Sequence, residues 1–389
     1  MRRVLMIGWE LPPFNSGGLG VACFFLAKSL SQETDLYFSL PRQLPINDCP
    51  FKVIFADSKV VGKGYSAYAK ISKAFWFKNI SGLLEEVLTY GQRLYQRIED
   101  LDLNFDVIHA HDWLGGLAGV YLKEKLNAPL VIHVHATEIE RTGNNPNPLI
   151  YQLEKEMFER ADKIITVSHL TREIVYSFYQ IPRDKIKVVP NGIDRIKRIG
   201  QAPFYFNLLR SQGYKIVLFV GRFALQKGPD YLLQTLPLVS NYVKNVKYVF
   251  LGDGEMMPGL IKQAKEFDVL DKVVFGGFLR GDQLEGVYQN VDLLVVPSVF
   301  DPFGLVPLEG IKNDLPVIIS KTTGVGDYLN NVLKVDFWDV KKMAGCIIGA
   351  LKYPPLKREL VKNSVAELPK FNWDDRRQLI LETYQSLGL

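Results

Sequence analysis

Residues 293–310 read Leu293-Leu294-Val295-Val296-Pro297-Ser298-Val299-Phe300-Asp301-Pro302-Phe303-Gly304-Leu305-Val306-Pro307-Leu308-Glu309-Gly310. The apolar run before Pro297 has the pattern of a strand buried on both faces of a parallel sheet. Pro302 and Gly304 break it with an irregular turn. Pro307 suits the first turn of a helix, where a missing amide costs nothing, and the pattern predicts that helix over 305–313. Asp301 is thereby placed on a turn at the carboxyl end of a strand, and Glu309 inside the following helix. Open α/β sheets bind ligands in that crevice. The amides of residues 303–306 lack intrahelical acceptors and are set to donate to a ligand there.

Two carboxylates eight residues apart invite a glycosidase reading. A continuous helix would separate them by about 12 Å, at 1.5 Å per residue, whereas glycosidase pairs stand about 5–9.5 Å apart. The spacing argues against that chemistry. The competing reading is an ordinary acid near a helix dipole, and the rest of the chain has to decide.

Outward from this stretch the chain alternates strands and helices. In the first half, strands are expected at Val4–Gly8, Leu36–Ser39, Lys52–Ala56, Val107–Ala110, Leu130–His133, Ile164–Val167 and Lys187–Val189. A second series starts at Ile216–Gly221 and continues near 246–251, 273–275, 293–297 and 316–319. Helices are expected at Val21–Leu30, around 81–101, 114–126 and 147–160, then near 229–239, 258–267, 281–290, 338–351 and 356–366, with a terminal helix over Asn372–Leu387. This is α/β alternation with mainly parallel sheets. Residues 190–213, with Arg195, Lys197 and Arg198, read as an interdomain linker. The implied division is 1–194, 195–371 and a terminal segment 372–389.

With 389 residues and 47% apolar content, the chain can fill two cores. Its 47 basic and 42 acidic residues leave a net charge of +5, too small an excess to imply a nucleic-acid partner. Cys23, Cys49 and Cys346 are scattered and form no Cys-x-x-Cys pair. A reducing, cytoplasmic setting is therefore expected, without a disulfide framework or a zinc knuckle. The opening residues have no signal-peptide shape, and no apolar run is long enough to span a membrane. Residues 57–80 mix lysines with Tyr65, Tyr68, Phe75, Trp76 and Phe77. They read either as a solvated amphipathic helix or as a peripheral contact for a glycan or an anionic membrane.

Four further segments carry chemistry. Gly17-Gly18-Leu19-Gly20 lies between a strand and a helix and suits a phosphate, though it lacks the dinucleotide fingerprint and the P-loop lysine. His109 and His111 on one strand end, and His133 and His135 on another, have the spacing of same-face residues; with Asp112 they raise a metal site as an alternative. His109 also reads as a plain core residue. Gly221-Arg222…Lys227-Gly228 sets two cations on a glycine-bounded loop, able to clamp a diphosphate. Gly252-Asp253-Gly254-Glu255 reads as a structural turn.

These pieces occur in a telling order. Gly17-Gly18-Leu19-Gly20, His109-Ala110-His111-Asp112-Trp113, His135-Ala136-Thr137-Glu138, Pro190-Asn191-Gly192-Ile193-Asp194, Arg222…Lys227, Gly252-Asp253-Gly254 and Asp301…Glu309 together resemble the retaining glycosyltransferases of family 4 and the neighbouring glycogen and starch synthases. The resemblance spans nearly the whole chain. It implies the GT-B architecture: two Rossmann-like domains, an interdomain cleft and a terminal helix returning to the first domain. It implies a nucleotide-diphosphate sugar as donor substrate, a glycan or other hydroxyl acceptor, and no separate cofactor or metal. Arg222 and Lys227 would hold the diphosphate, Gly17 and Gly18 would approach it, and Phe303, Gly304 and Leu305 would line the nucleotide site. Glu309 would take the ribose hydroxyls, and His135 and Asp301 would stand at the sugar. Asp301 replaces the family's usual Glu, one methylene shorter, and Gly310 replaces a usual Ala. Two rival readings are a GT-B nucleotide-sugar epimerase and a metal-dependent hydrolase using the His-x-His pairs.

Overall fold

The computed structural model describes residues 1–389 except Ser16, Asn47, Asp48, 58–79, Arg195, Lys197 and Arg198. The lysine- and aromatic-rich stretch and the three linker cations singled out above lie outside the described residues, Asp57 and Ile80 excepted.

The Val/Ile/Leu-rich runs assemble into two parallel sheets. In the first, β1 (Arg3–Ile7), β2 (Asp35–Leu40), β3 (Lys52–Phe55), β4 (Val107–His111), β5 (Leu130–Val134), β6 (Lys163–Thr166) and β7 (Ile186–Val188) are ordered β3-β2-β1-β4-β5-β6-β7. In the second, β8 (Lys215–Val220), β9 (Val246–Leu251), β10 (Val273–Gly277), β11 (Leu293–Val296), β12 (Val317–Ser320) and β13 (Leu333–Val335) are ordered β10-β9-β8-β11-β12-β13. Strands β4, β5 and β11 are buried along their whole length, as expected where helices cover both faces. In each sheet the chain winds outward from its first strand and then returns to that strand's other side. The reversals fall between β1 and β4, and between β8 and β11. At such switch points the flanking loops part and leave a crevice at the strands' carboxyl ends.

The chain divides into two units: 1–139, 145–194 and 373–389 form one, and 140–144 with 195–372 form the other. The C-terminal helix, Trp373–Gln385, belongs to the first. Its Ile380, Leu381 and Tyr384 share a core with Val4, Leu26 and Val107. Arg377 pairs with Glu33 at 2.7 Å, Arg376 donates to the Pro190 carbonyl at 3.1 Å, and Trp373 stacks on Phe25. The second unit has its own core, in which Phe219, Phe250, Leu232 and Leu293 meet.

Three expectations need correction. The first helix begins at Gly18 rather than Val21, because glycines there do not stop a helix whose apolar face is already held by the sheet. Residues 204–211, read as linker, form a helix; its single buried anchor, Phe206, is too sparse a signal to stand out. Strand β13 was not anticipated, since three residues carry no periodicity.

Candidate active site

In the second unit the two predicted chemical segments leave the switch-point strands and meet. The cation loop follows β8 and the Asp301 turn follows β11. The Phe300 amide donates to the Gln226 carbonyl at 3.3 Å, and the Lys227 ammonium lies 2.7 Å from Asp301 Oδ2. The sequence reading assigned Lys227 to a diphosphate and Asp301 to a sugar; here they are ion-paired. Asp301 is buried and held at both ends of its backbone: its amide donates to Thr322 at 3.0 Å, and its carbonyl accepts from Gly324 at 2.9 Å. Arg222 is half-buried on the same loop. The Gly252-Asp253-Gly254 turn braces that loop, with Phe223 donating to Asp253 at 2.9 Å and Met256 donating back to Phe223 at 3.0 Å.

Gly304 caps the Leu305–Lys312 helix with φ 88°, a left-handed conformation that favours glycine. A Cβ there would also meet Thr323 Cγ2 at 2.8 Å. The open first turn of that helix therefore lies beside the Lys227–Asp301 pair, with Leu305 half-buried at its start. For Phe303 the sequence reading invokes the backbone amide, not the ring. Its ring is buried and packs near Phe371 and Tyr328, so only its backbone is in place to meet a ligand. Gly310 has a packing reason: a Cβ there would overlap Leu294 of β11.

Glu309 sits one turn into the helix. Tyr288, from the Asp282–Tyr288 helix, donates to Glu309 Oε2 at 2.7 Å, and Lys312 pairs with Glu285 of that same helix at 2.7 Å. Burial pushes the Glu309 carboxyl above its usual range, against the pull of the Tyr288 hydrogen bond and the Lys312 charge. Tyr288 is fully buried, and nothing in its sequence context marked it as a partner of Glu309.

In the first unit, Gly17 caps the Gly18–Leu30 helix after β1, and Asp112 opens the Asp112–Leu126 helix after β4. The β4–β5 register sets His111 opposite His133, and the two-residue period puts all four histidines on one face. Their rings stack. His109 Nε2 and His133 Nδ1 are 3.1 Å apart, and His111 Nδ1 and His135 Nε2 are 3.0 Å apart. Tyr384 of the C-terminal helix reaches His109 Nδ1 at 2.6 Å. Burial is the main cause that drives the His109 pKa down to about 3, and those of His111 and His133 well below the ordinary value. These rings are neutral at pH 7. Asp112, at φ 49°, accepts the amides of His135 and Ala136 at 2.6 and 3.2 Å and so clamps the loop that carries His135. Sequence reading took Asp112 for a possible metal ligand; its backbone clamp depends on a tertiary approach that spacing does not encode.

The imidazoles do converge. Ligand atoms of Cys23, His111 and His135, and likewise of His109, His111 and His133, lie within 4.8 Å of one another. Yet four ring nitrogens are spent on one another and one on Tyr384. Burial, with the charges of Asp112 and Glu10, pushes the Cys23 thiol up, and a protonated thiol is a poor ligand.

Comparison with known proteins decides between the readings. Residues 203–365 match the family model for glycosyl transferases group 1, and residues 63–196 match that for glycosyltransferase family 4. A D-inositol 3-phosphate glycosyltransferase of Acidothermus cellulolyticus is 30% identical over 72% of this chain and 67% of its own. The chain is a family 4 glycosyltransferase. This transferase is also 29% identical to an uncharacterized glycosyltransferase of Methanocaldococcus jannaschii, over 98% of both chains. It is 28% identical to a glycogen synthase of Mycobacterium tuberculosis, over 85% of this chain and 80% of that one. Among solved structures, sucrose-phosphate synthase from Thermosynechococcus elongatus superposes with a TM-score of 0.78 at 20% identity, covering 100% and 99% of the chains. Anabaena HepE in complex with UDP and glucose superposes with a TM-score of 0.76 at 18% identity, covering 99% and 100%. The transferase thus has the GT-B fold, and neither the hydrolase nor the epimerase reading is favoured. Among the described residues, no helix is long and apolar enough to cross a membrane.

Proposed function

We propose that this transferase moves a glucosyl unit from UDP- or ADP-glucose to a hydroxyl of a growing α-glucan, with retention of the α configuration. One observation carries the reading: at the switch point of the second unit, the loop after β8 carries Arg222 and Lys227, and the Asp301 turn after β11, paired with Lys227, leads into an open helix turn followed by Glu309. That set matches a diphosphate flanked by a ribose. The glycogen synthase relative and the synthase-like Gly17-Gly18-Leu19-Gly20 and His111-Asp112-Trp113 elements support glucose and a glucan. The HepE complexes with UDP and with UDP-glucose support a nucleotide-sugar donor.

In this mechanism the bond between the sugar C1 and the diphosphate oxygen breaks, and its electrons stay on the diphosphate. Arg222 and Lys227 stabilise that growing charge without reorganising. The acceptor oxygen forms the new bond to C1 on the face the leaving group vacates, and its proton passes to a departing phosphate oxygen. No protein nucleophile is needed. Asp301 holds the Lys227 ammonium and contacts the sugar. The resemblance assigns His135 a hydrogen bond to the sugar or its leaving group.

A panel of nucleotide-sugars, scored by free nucleotide with and without maltooligosaccharide, tests the donor and acceptor. Release from UDP- or ADP-glucose that rises with maltooligosaccharide supports the reading. Release that requires inositol 3-phosphate instead would move it toward the relatives of that name. An NMR spectrum of the first product decides stereochemistry, and a β-linkage would overturn retention.

A further inference from the structure

We propose that Tyr288 is a positioning residue for donor binding: its hydroxyl holds one carboxylate oxygen of Glu309 so that the other is presented to the ribose hydroxyls. This rests on the donor reading above and deepens it. The geometry is a clasp between two helices. Tyr288 and Glu285 are one turn apart on the Asp282–Tyr288 helix, and Glu309 and Lys312 are one turn apart on the Leu305–Lys312 helix. They pair across as Tyr288–Glu309 and Glu285–Lys312, each at 2.7 Å. A residue on an exposed helix face samples several rotamers; a carboxylate tied by one oxygen to a buried phenol does not. The phenol is itself locked, since Tyr288 is only 1% exposed.

The clasp also sets the charge of Glu309. A ribose offers two hydroxyl donors, so the group that receives them has to be the ionised acceptor-only carboxylate. Burial works against ionisation and Glu285 adds to that, whereas Tyr288 and Lys312 favour it. Other charged groups on elements around this helix have partners of their own: Lys357 and Asp292, Lys370 and Glu367, Lys227 and Asp301. Removing the Tyr288 hydroxyl therefore raises the pH at which Glu309 takes up a proton and releases the donor.

The test measures binding of UDP-glucose and ADP-glucose by calorimetry from pH 5 to 8, in wild type, Tyr288→Phe and Glu309→Gln. In both donors the diphosphate is esterified at each end, so the ligand lacks the second phosphate ionisation near pH 6. Tyr288→Phe is expected to weaken binding about 3- to 10-fold at pH 7.5, the scale of one ordinary hydrogen bond. It should also move the pH of half-maximal affinity upward by about half a unit to one unit, the scale on which a lost partner shifts a carboxyl. Glu309→Gln should weaken binding more and flatten the pH profile. A merely structural tyrosine would lower the melting temperature without moving that midpoint. Should Tyr288→Phe fail to fold, Lys312→Gln reads the same charge balance and should move the midpoint the same way. If Glu309→Gln binds poorly while Tyr288→Phe keeps the wild-type affinity and midpoint, the inference is overturned and the donor reading stands. If Glu309→Gln binds normally, the donor reading falls and this inference falls with it.

Discussion

Beside β4 and β5 stand stacked imidazoles, of which burial holds His109, His111 and His133 neutral; beside β8 and β11 the polar groups are cations and carboxylates. The two sheets share their winding, so the difference lies in what the loops bring to the same topological place. A neutral stack cannot balance a departing diphosphate, but it can orient a hydrogen-bond donor with little solvent reorganisation. The charged set can balance it, provided its own charges do not collapse onto each other. Lys227 and Asp301 sit near that limit. The ammonium has three donors, and Asp301 takes one of them in the pair described above.

The largest effect should come from breaking the charged side. Arg222→Ala or Lys227→Ala is expected to lower turnover about 10²- to 10³-fold, the scale of losing one transition-state donor, measured as nucleotide release at saturating donor. Lys227→Ala should also lower the melting temperature, because it strands the buried Asp301 carboxylate; Arg222→Ala should do so less. Near-normal turnover in both variants would dissolve the distinction between the units.

Next comes the histidine side. His135→Ala is expected to cut turnover about 10²-fold while nucleotide affinity by calorimetry stays within about twofold, because in the proposed assignment the nucleotide is held by Arg222, Lys227 and Glu309. A variant that binds nucleotide poorly yet turns over normally would reverse the assignment of roles.

A smaller effect should appear in stability against pH. In the folded state the buried histidines have depressed pKa values, that of His109 falling to about 3. The unfolded chain binds more protons once the pH drops below about 6.5. Stability from these groups is therefore present above that value and is lost as pH falls from about 6.5 toward 3. Each imidazole should cost about 1 kcal/mol between pH 6.5 and 5.5. Urea midpoints at pH 7.5, 6.5 and 5.5 measure this, and an unchanged midpoint would contradict burial of the neutral stack. The smallest effect is expected from chelation. EDTA should leave activity intact, because Arg222 and Lys227 supply the charge neutralisation that a divalent ion supplies elsewhere. Loss of activity that zinc restores would return the His-x-His pairs to consideration as metal ligands.

Legibility in the sequence followed the range of the interactions involved. Dense aliphatic runs are foreign to polar loops, so Leu293–Val296, and Val107–Ala110 and Leu130–His133 despite a histidine in each, stand out as buried strands from local hydrophobicity. Pro302, Gly304 and Pro307 marked the turn and helix start because backbone restrictions are local. The Leu305–Lys312 helix, expected to run to residue 313, ends one residue earlier, within ordinary boundary uncertainty. Helix 204–211 was missed because one buried phenylalanine makes no stripe.

By itself, then, the sequence determined two α/β series, the order of their loops and which residue types those loops carry, because these depend on backbone chemistry and on apolar periods of two and 3.6. Only the tertiary structure decided who pairs with whom. Strand register stacked four histidines and reached Tyr384 some 275 residues away from His109. Loop packing turned Lys227 and Asp301, 74 residues apart, into a pair. The approach of two helices gave Glu309 its tyrosine. Each of these is a contact between distant segments, with an energy set by burial and geometry that no local pattern records.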